Sequence, residues 1–131
     1  MKLMYSDTKT GLTAQMELDE SQAAQLMNRR IGDVIDGSPF GLSGYKLKIK
    51  GGSDNSGFPL DRSIQASQKL HVMRKVATSG KRKGEYKRIM IRGGTISADT
   101  VQVSAVITEY GSTPIEQLMP KKEKAAAEQK Q

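Results

Sequence analysis

The sequence predicts a mainly β fold: a single small antiparallel β-barrel with one or two short helices and a mobile C-terminal tail. Apolar residues recur with a period of two in several segments, and clusters rich in Gly, Pro, Asn and Asp separate these segments. Strands with one apolar and one polar face are typical of antiparallel sheets and small barrels. Aromatic residues make up only 5% of the chain, so we expect a core of aliphatic side chains.

The alternating pattern predicts five strands along the chain. They cover residues 12–18, 45–50, 69–76, 88–92 and 101–108. A further strand is expected to start almost at residue 1, because the N-terminal apolar residues give way to polar ones after Tyr5. The order of the strands in the barrel does not follow from the pattern.

Two helices are predicted, one before and one after the strands over residues 45–108 in the sequence. The first has a capping residue, Asp19 or Ser21, followed by apolar residues spaced for one buried stripe, and it should end within 28–32. The second is expected over 113–119, because Thr113 before Pro114 is a typical helix start.

The length of 131 residues fits one domain, which we expect over residues 1–119 with a basic hairpin loop around 74–92. After Pro120 the chain contains only Lys, Glu, Ala and Gln. A segment of this length is marginal as an isolated helix. Residues 120–131 are therefore expected to form a charged flexible tail.

The composition excludes several kinds of site. The absence of Cys excludes disulfides, thiolate zinc sites and cysteine nucleophiles. The N-terminus does not resemble a signal peptide, and no apolar run approaches the roughly 20 residues that cross a bilayer. We therefore expect a cytosolic protein with no membrane partner and no cofactor.

The positive charge is concentrated in one quarter of the chain. The formal net charge is +7, and residues 61–94 hold ten basic against two acidic side chains. Residues 1–60 carry seven of each sign, and residues 95–131 carry four basic and five acidic. A long basic tail and a uniformly basic surface are both excluded.

The centre of this charge is the run KRKGEYKR at residues 81–88, between two predicted strands. Gly80 and Gly84 predict a loop at the tip of a long hairpin. Seven cations between residues 74 and 88 repel one another unless an anion lies against them, and a phosphate backbone matches both Lys and Arg. The residues predicted to contact RNA are Arg74, Lys75, Lys81, Arg82, Lys83, Tyr86, Lys87, Arg88 and Arg92.

The alternative for this segment is a solvated loop that keeps the domain soluble. RNA is favoured because the charges converge on one loop, the glycines permit close approach, and Tyr86 offers a stacking face. The scarcity of other aromatics favours contacts to the backbone of structured RNA over reading of single strands. Binding to duplex DNA is disfavoured because no recognition helix is visible. Binding to a membrane is disfavoured because the segment has no apolar helical face.

A glycine-rich segment, GGSDNSGFP at residues 51–59, predicts a tight structural turn after the strand over 45–50. Nucleotide-binding glycine loops run directly into a helix, whereas Phe58-Pro59 follows here. We expect the glycines to supply positive φ, Asp54 to bond nearby backbone amides, and Phe58 to fill the core. The residues assigned to this turn are Gly51, Gly52, Asp54, Gly57, Phe58 and Pro59.

The evidence for catalysis is weak. His71 is the only histidine, and without Cys or a second His it lacks the usual partners of a metal or catalytic site. The acidic residues fall mainly in predicted turns and caps, where Asp is used structurally. The least favoured hypothesis is a β-barrel enzyme, which requires a carboxylate within hydrogen-bonding reach of His71.

Two motifs resemble the ribosomal protein S6e family of the small subunit. Residues 49–60, IKGGSDNSGFPL, are similar to its signature segment, and residues 81–88, closed by Arg92-Gly93, are similar to its basic loop. The start Met1-Lys2-Leu3 also fits, as do elements between residues 19 and 45, and the resemblance covers about residues 1–110. Leu60 stands where the family often has Met, a volume-conserving change.

The resemblance implies a small β-barrel that binds ribosomal RNA beside neighbouring ribosomal proteins, without catalysis or a small-molecule substrate. We expect a monomer when free. Eukaryotic members continue into a long basic helix and a serine-rich phosphorylated tail, so this chain fits the archaeal type, and regulation by tail phosphorylation is not expected. The competing hypothesis is an RNA-binding factor that acts transiently in assembly or translation.

Overall fold

The computed structural model describes residues 1–114, which form eight strands, one α-helix and one 3-10 turn at Ser38–Phe40. The mainly β class is confirmed. The predicted helix over 113–119 lies almost wholly outside the described residues, as does the whole of the predicted tail. The elements are β1 (Lys2–Ser6), β2 (Thr13–Glu17), α1 (Glu20–Leu26), β3 (Val34–Asp36), β4 (Lys46–Asp54), β5 (Leu60–Asp61), β6 (Lys69–Lys75), β7 (Tyr86–Gly93) and β8 (Thr100–Glu109).

The strands form two open sheets instead of the expected closed antiparallel barrel. The five-stranded sheet has the order β2-β1-β8-β4-β3, and the three-stranded sheet has the order β5-β7-β6. Within residues 1–114 no ladder joins the edge strands β2 and β3. Two pairs, β1 with β8 and β5 with β7, are parallel. Apolar alternation is the same in parallel and antiparallel strands, so the pattern alone does not reveal these pairs.

The core lies against one face of the five-stranded sheet. Leu3 of β1 pairs with Val103 of β8, and Ile49 of β4 pairs with Ala105, so side chains that share a face lie side by side. All four are buried, and most of the core is aliphatic as expected. Three aromatic rings are nevertheless buried in it: Tyr5, Phe40 and Tyr45.

Helix α1 follows its predicted cap. Asp19 is the N-cap, and its backbone N–H donates to Gln22 Oε1 at 3.1 Å. Leu26 anchors the helix in the core, and the chain turns away at Asn28, whose φ is 64°. Among the described residues, no helix combines the length and apolar character needed to cross a bilayer.

A buried carboxylate fastens the end of β8 to the turn between β1 and β2. Asp7 accepts hydrogen bonds from the Lys9 backbone at 3.0 Å, from Thr10 Oγ1 at 2.8 Å, and from the Tyr110 hydroxyl. The Tyr110 bond contributes most to lowering the pKa of Asp7, and the same bond raises the pKa of Tyr110. Asp7 therefore has the structural role that its turn position predicted.

Candidate nucleic-acid interface

The cationic segment forms the hairpin of β6 and β7, residues 69–93, which we call the basic arm. Its ladder runs from the pair Lys69–Arg92 at the base to the pair Lys75–Tyr86 near the tip. Beyond the ladder, the Val76 backbone N–H donates to the Glu85 carbonyl at 3.0 Å. Gly80 and Gly84 have φ of 89° and 87°, so the tip needs residues that accept the left-handed region. The basic run is therefore carried on a regular strand–turn–strand element.

The outer half of the basic arm is exposed on both faces. Every residue from 78 to 88 is exposed, and so are residues 73–76. Met73 is 60% exposed and Tyr86 is 56% exposed, although both lie in a paired strand. The inner half is different, because Ile89 is partly buried and Ile91 is buried. The arm thus projects from the domain and is anchored by its base.

The ladder places cations opposite one another. Arg74 lies directly across from Lys87, and residues paired in this way share a face of the sheet. Lys75, Tyr86 and Arg88 lie on the other face, because side chains alternate along a strand. Directly opposed like charges are destabilising. Both faces of the arm therefore present positive charge that an anionic partner would relieve.

Besides Arg92 at the base, two cations of the arm have carboxylate partners. Arg74 forms an ion pair with Asp61 and lies 3.3 Å from Ser63 Oγ, while Arg82 Nε lies 3.5 Å from Glu85 Oε2. The Arg82 pair is largely solvent-exposed, so it contributes little stability. Within residues 1–114, the arm cations without an ion pair are Lys69, Lys75, Lys81, Lys83, Lys87 and Arg88.

Arg92 does not belong to the exposed surface. It is only 5% exposed, its Nε lies 3.0 Å from Asp54 Oδ2, and its Nη1 donates to the Ser67 carbonyl at 2.8 Å. Asp99 lies 3.6 Å from the same guanidinium. The prediction that Arg92 contacts RNA does not fit this position, because the guanidinium is enclosed by protein acceptors at the base of the arm.

The glycine-rich segment supports that base. Asp54 Oδ1 accepts the backbone N–H groups of Ser56 at 3.0 Å and Phe58 at 2.8 Å, while Oδ2 binds Arg92. Burial by itself raises the pKa of Asp54, but the hydrogen bonds from Arg92, Phe58 and Ser56 outweigh it, so the pKa lies below its ordinary value. The expected bonding of Asp54 to nearby amides is therefore present, and it is joined to the arm through Arg92.

Other details of the segment differ from the prediction. Gly51 and Gly52 continue strand β4, with a bulge between Ile49 and Gly51, so the turn itself starts at Asp54. Only Gly57 of the three glycines has positive φ, at 84°. A Cβ at Gly52 would lie 2.4 Å from the Gln102 carbonyl oxygen, so this glycine is needed for close strand approach.

Phe58 and Pro59 also differ from expectation. Phe58 is only partly buried and stands outside the core cluster; Lys69 Nζ lies 5.3 Å from its ring centroid. Lys69 Nζ also donates to Ser56 Oγ at 2.8 Å, a contact that no sequence pattern indicates. Pro59 forms a bridge with Ser53 and accepts the Arg92 backbone N–H at 3.0 Å. The turn therefore packs against the base of the arm.

His71 lies on an exposed position of β6, across from Met90. Among residues 1–114, no carboxylate forms an ion pair with it, and no group of three or more metal-ligating side chains is found. The pocket with a carboxylate beside His71 that the enzyme hypothesis requires is not formed in this part of the chain.

Comparison with known proteins identifies the family. The family model of ribosomal protein S6e matches residues 1–120. The small ribosomal subunit protein eS6 of Methanocaldococcus jannaschii is 42% identical over 120 residues, which is 90% of this chain and 89% of that protein. The eS6 protein of Methanothermobacter thermautotrophicus is 42% identical, over 90% of this chain and 94% of that protein. The eS6 protein of Methanoregula boonei is 37% identical, over 99% of this chain and 92% of that protein. The chain belongs to the ribosomal protein S6e family, and these relatives are of the archaeal type.

Proposed function

We propose that this protein is a structural constituent of the small ribosomal subunit and binds ribosomal RNA through the basic arm. The relatives reported above are named as small-subunit proteins, which supports the assignment to that particle. The observation that carries the RNA-binding role is the exposure of cations on both faces of the outer arm, most of them without a carboxylate partner in residues 1–114. Such a surface fits a phosphate backbone.

The proposed contact residues are the predicted set without Arg92. Lys75, Lys87 and Arg88 would bind phosphates along the two faces of the strands, and Tyr86 would stack on a sugar or an exposed base. Arg74 already binds Asp61, so its contribution to RNA binding is expected to be smaller. The turn that carries Lys81, Arg82 and Lys83 would contact the RNA backbone most directly, because it lies beyond the last ladder pair at the tip of the arm and all three are exposed.

The test compares two variants with the same loss of charge. In the arm variant, Lys81, Arg82 and Lys83 are changed to Ala; in the control, Lys46, Lys48 and Lys50 of β4 are changed to Ala. Binding to purified small-subunit ribosomal RNA is measured over a series of salt concentrations. Each lost phosphate contact lowers the slope of log affinity against log salt by about 0.7 to 0.9. We expect a flatter slope only for the arm variant; a slope equal to that of the wild type would contradict the proposal.

A transient factor for assembly or translation is the second candidate, because such a factor would bind RNA with the same exposed arm. Sedimentation of cell extracts separates the two. A resident constituent is found in mature small subunits in near-equal amount to other subunit proteins and stays after a salt wash. A transient factor is lost from mature particles. We propose the resident role, at the cytoplasmic ribosome, with a monomeric free protein and no catalytic use of His71.

A further inference from the structure

A cavity of about 220 Å³ lies between three loop segments, and none of its lining residues belongs to the tip of the basic arm. The loop after α1 contributes Arg30 and Ile31, the loop after β5 contributes Arg62, Ile64 and Gln65, and the segment after β7 contributes Thr95. The volume is below the roughly 300 to 1,000 Å³ of pockets for drug-sized ligands. The cavity therefore suits a group that is smaller than such ligands.

Backbone hydrogen bonds hold these three segments together. Ile31 N–H donates to the Gly94 carbonyl at 3.1 Å, and Gly94 N–H donates to the Ile64 carbonyl at 2.8 Å. A Cβ at Gly94 would lie 2.8 Å from the Asp61 carbonyl oxygen, so a side chain there would push the 61–65 loop away. The hydrogen bonds and the buried Gly94 thus make the cavity a built feature of the fold.

The cavity is positively charged. Arg30 and Arg62 are exposed, and neither forms an ion pair with a carboxylate of residues 1–114. The neighbouring acids have other partners: Asp33 accepts the backbone N–H of Arg30 at 2.9 Å, and Asp61 binds Ser63 and Arg74. Two guanidinium groups are therefore left for an anion from outside this part of the chain.

We propose that this cavity binds one unpaired nucleotide of RNA, a site that rests on the proposed function and adds a second contact to it. Ile31 and Ile64 offer apolar surface to the face of a base. Gln65 and Thr95 offer hydrogen-bond donors and acceptors to its edge. Arg30 and Arg62 bind the adjoining phosphates. Unpaired bases held by side-chain planes and hydrogen bonds are the usual target of specific RNA recognition.

A protein partner fits the cavity less well. An acidic side chain would satisfy the two guanidinium groups, but it would leave the surface of Ile31 and Ile64 uncovered and Gln65 without a partner. A nucleotide combines an anionic phosphate, an apolar face and a polar edge, and so uses all three features. The Arg74–Asp61 ion pair also connects the loop that carries Arg62 to the basic arm. One RNA could therefore contact both surfaces.

The test uses nuclear magnetic resonance of the ¹⁵N-labelled full chain. The four nucleoside 5′-monophosphates and inorganic phosphate are titrated separately. We expect saturable shifts of the Ile31, Ile64, Gly94 and Thr95 amides that are larger and tighter with at least one nucleotide than with phosphate. Equal responses to nucleotides and to phosphate would overturn the nucleotide assignment, and so would shifts confined to the basic arm.

Three variants make the result specific. Arg62→Ala should weaken nucleotide binding by about tenfold or more, because a charge-assisted hydrogen bond is lost. Arg29→Ala removes an exposed arginine outside the cavity and should leave the affinity unchanged. Gln65→Ala should reduce the difference in affinity between the four bases. An Arg62→Ala protein that binds as tightly as the wild type would overturn the site.

The arm variant without Lys81, Arg82 and Lys83 separates this site from the proposed function. It should keep the nucleotide shifts at the cavity even though its salt slope on ribosomal RNA changes. In assembled small subunits, a photo-crosslinking residue in place of Gln65 should then crosslink to a single unpaired nucleotide. A crosslink to a neighbouring protein instead of RNA would overturn the proposal while leaving the role of the arm intact.

Discussion

The five-stranded sheet and the basic arm are both built from alternating strands, but they bury different amounts of surface. In the sheet, Leu3, Ile49 and Val103 are fully buried on one face. In the outer arm, Met73 and Tyr86 are more than half exposed, and no residue from 78 to 88 is buried. The sheet can hold its shape through its own core, whereas the outer arm depends on its ladder and on whatever binds it.

The two regions also differ in charge. Residues 1–60, which supply four of the five strands of the sheet, carry seven charges of each sign, while residues 61–94 carry ten basic and two acidic side chains. Repulsion among the cations of the outer arm, of which only Arg74 and Arg82 have a carboxylate partner in residues 1–114, reduces the stability of the free arm. A charge pattern that costs stability in the free protein is expected where function requires it.

The largest expected effect is a core truncation in the sheet. Leu3→Ala should reduce the free energy of unfolding by about 2 to 5 kcal/mol, because the cavity lies in fully buried surroundings. Met73→Ala in the arm should change it by less than about 0.5 kcal/mol, since that side chain is mostly exposed. Urea unfolding of both variants measures the difference. Equal losses would mean that the outer arm packs against the domain.

Arg92 and Arg88 lie in the same strand, β7, but we expect a structural role for Arg92 and an RNA-binding role for Arg88. Arg92→Met leaves the buried Asp54 carboxylate without its guanidinium, so we expect a clear fall in melting temperature. Arg88→Ala should leave the melting temperature unchanged and lower the salt slope of RNA binding by about 0.7 to 0.9 if one phosphate contact is lost. Calorimetry and salt titration on the same two proteins test this assignment. A stable Arg92→Met protein with reduced RNA binding would reverse it.

Two neighbouring glycines of β4 make the next comparison. Gly52→Ala places a Cβ 2.4 Å from the Gln102 carbonyl oxygen, so β4 and β8 must separate, and we expect a loss of about 1 to 3 kcal/mol. Gly51→Ala meets nothing within 4 Å and serves as the matched control, with little change expected. Thermal unfolding measures both. If the two substitutions reduce the free energy of unfolding equally, the reduction reflects strand propensity and not the close approach of β4 and β8.

The low pKa of Asp54 predicts how the base of the arm responds to acid. Because the folded pKa lies below the ordinary 3.8, the carboxylate stabilises the fold above pH 3.8, and this contribution is lost as pH falls through the folded pKa. Melting temperatures from neutral pH to pH 2 should therefore fall less steeply for Asp54→Asn than for the wild type. Asp99→Asn, at an exposed position beside the same arginine, is the control and should keep the wild-type profile.

The sequence predicted the fold class, the cap at Asp19 and the exposed hairpin cations because these depend on local pattern and composition. It did not predict that Arg92 is buried, since Arg88, Met90 and Arg92 share one face of β7 and their alternation looks alike. Only the fold shows that Asp54 and Ser67 cover that end of the strand. Arg30 and Arg62, which line one cavity, lie in separate loops and leave no local signal.

The smallest expected effect on stability comes from removing one exposed acidic charge in each region. Glu85 at the arm tip and Glu109 at the end of β8 are both exposed, and each forms one surface ion pair, with Arg82 at 3.5 Å and Lys46 at 3.4 Å. Changing either to Gln should alter the free energy of unfolding by less than about 0.5 kcal/mol, because exposed pairs contribute little.

RNA affinity should respond differently to the substitutions at Glu85 and Glu109, because Glu85 is the only acidic residue of the basic arm, residues 69–93. Glu85→Gln removes the one charge of the arm that repels phosphate, so affinity for small-subunit ribosomal RNA at low salt should rise, and the rise should disappear at high salt. Glu109→Gln should leave the affinity at the wild-type value. If both substitutions raise affinity equally, RNA responds to the net charge of the whole protein and the arm is not the binding element.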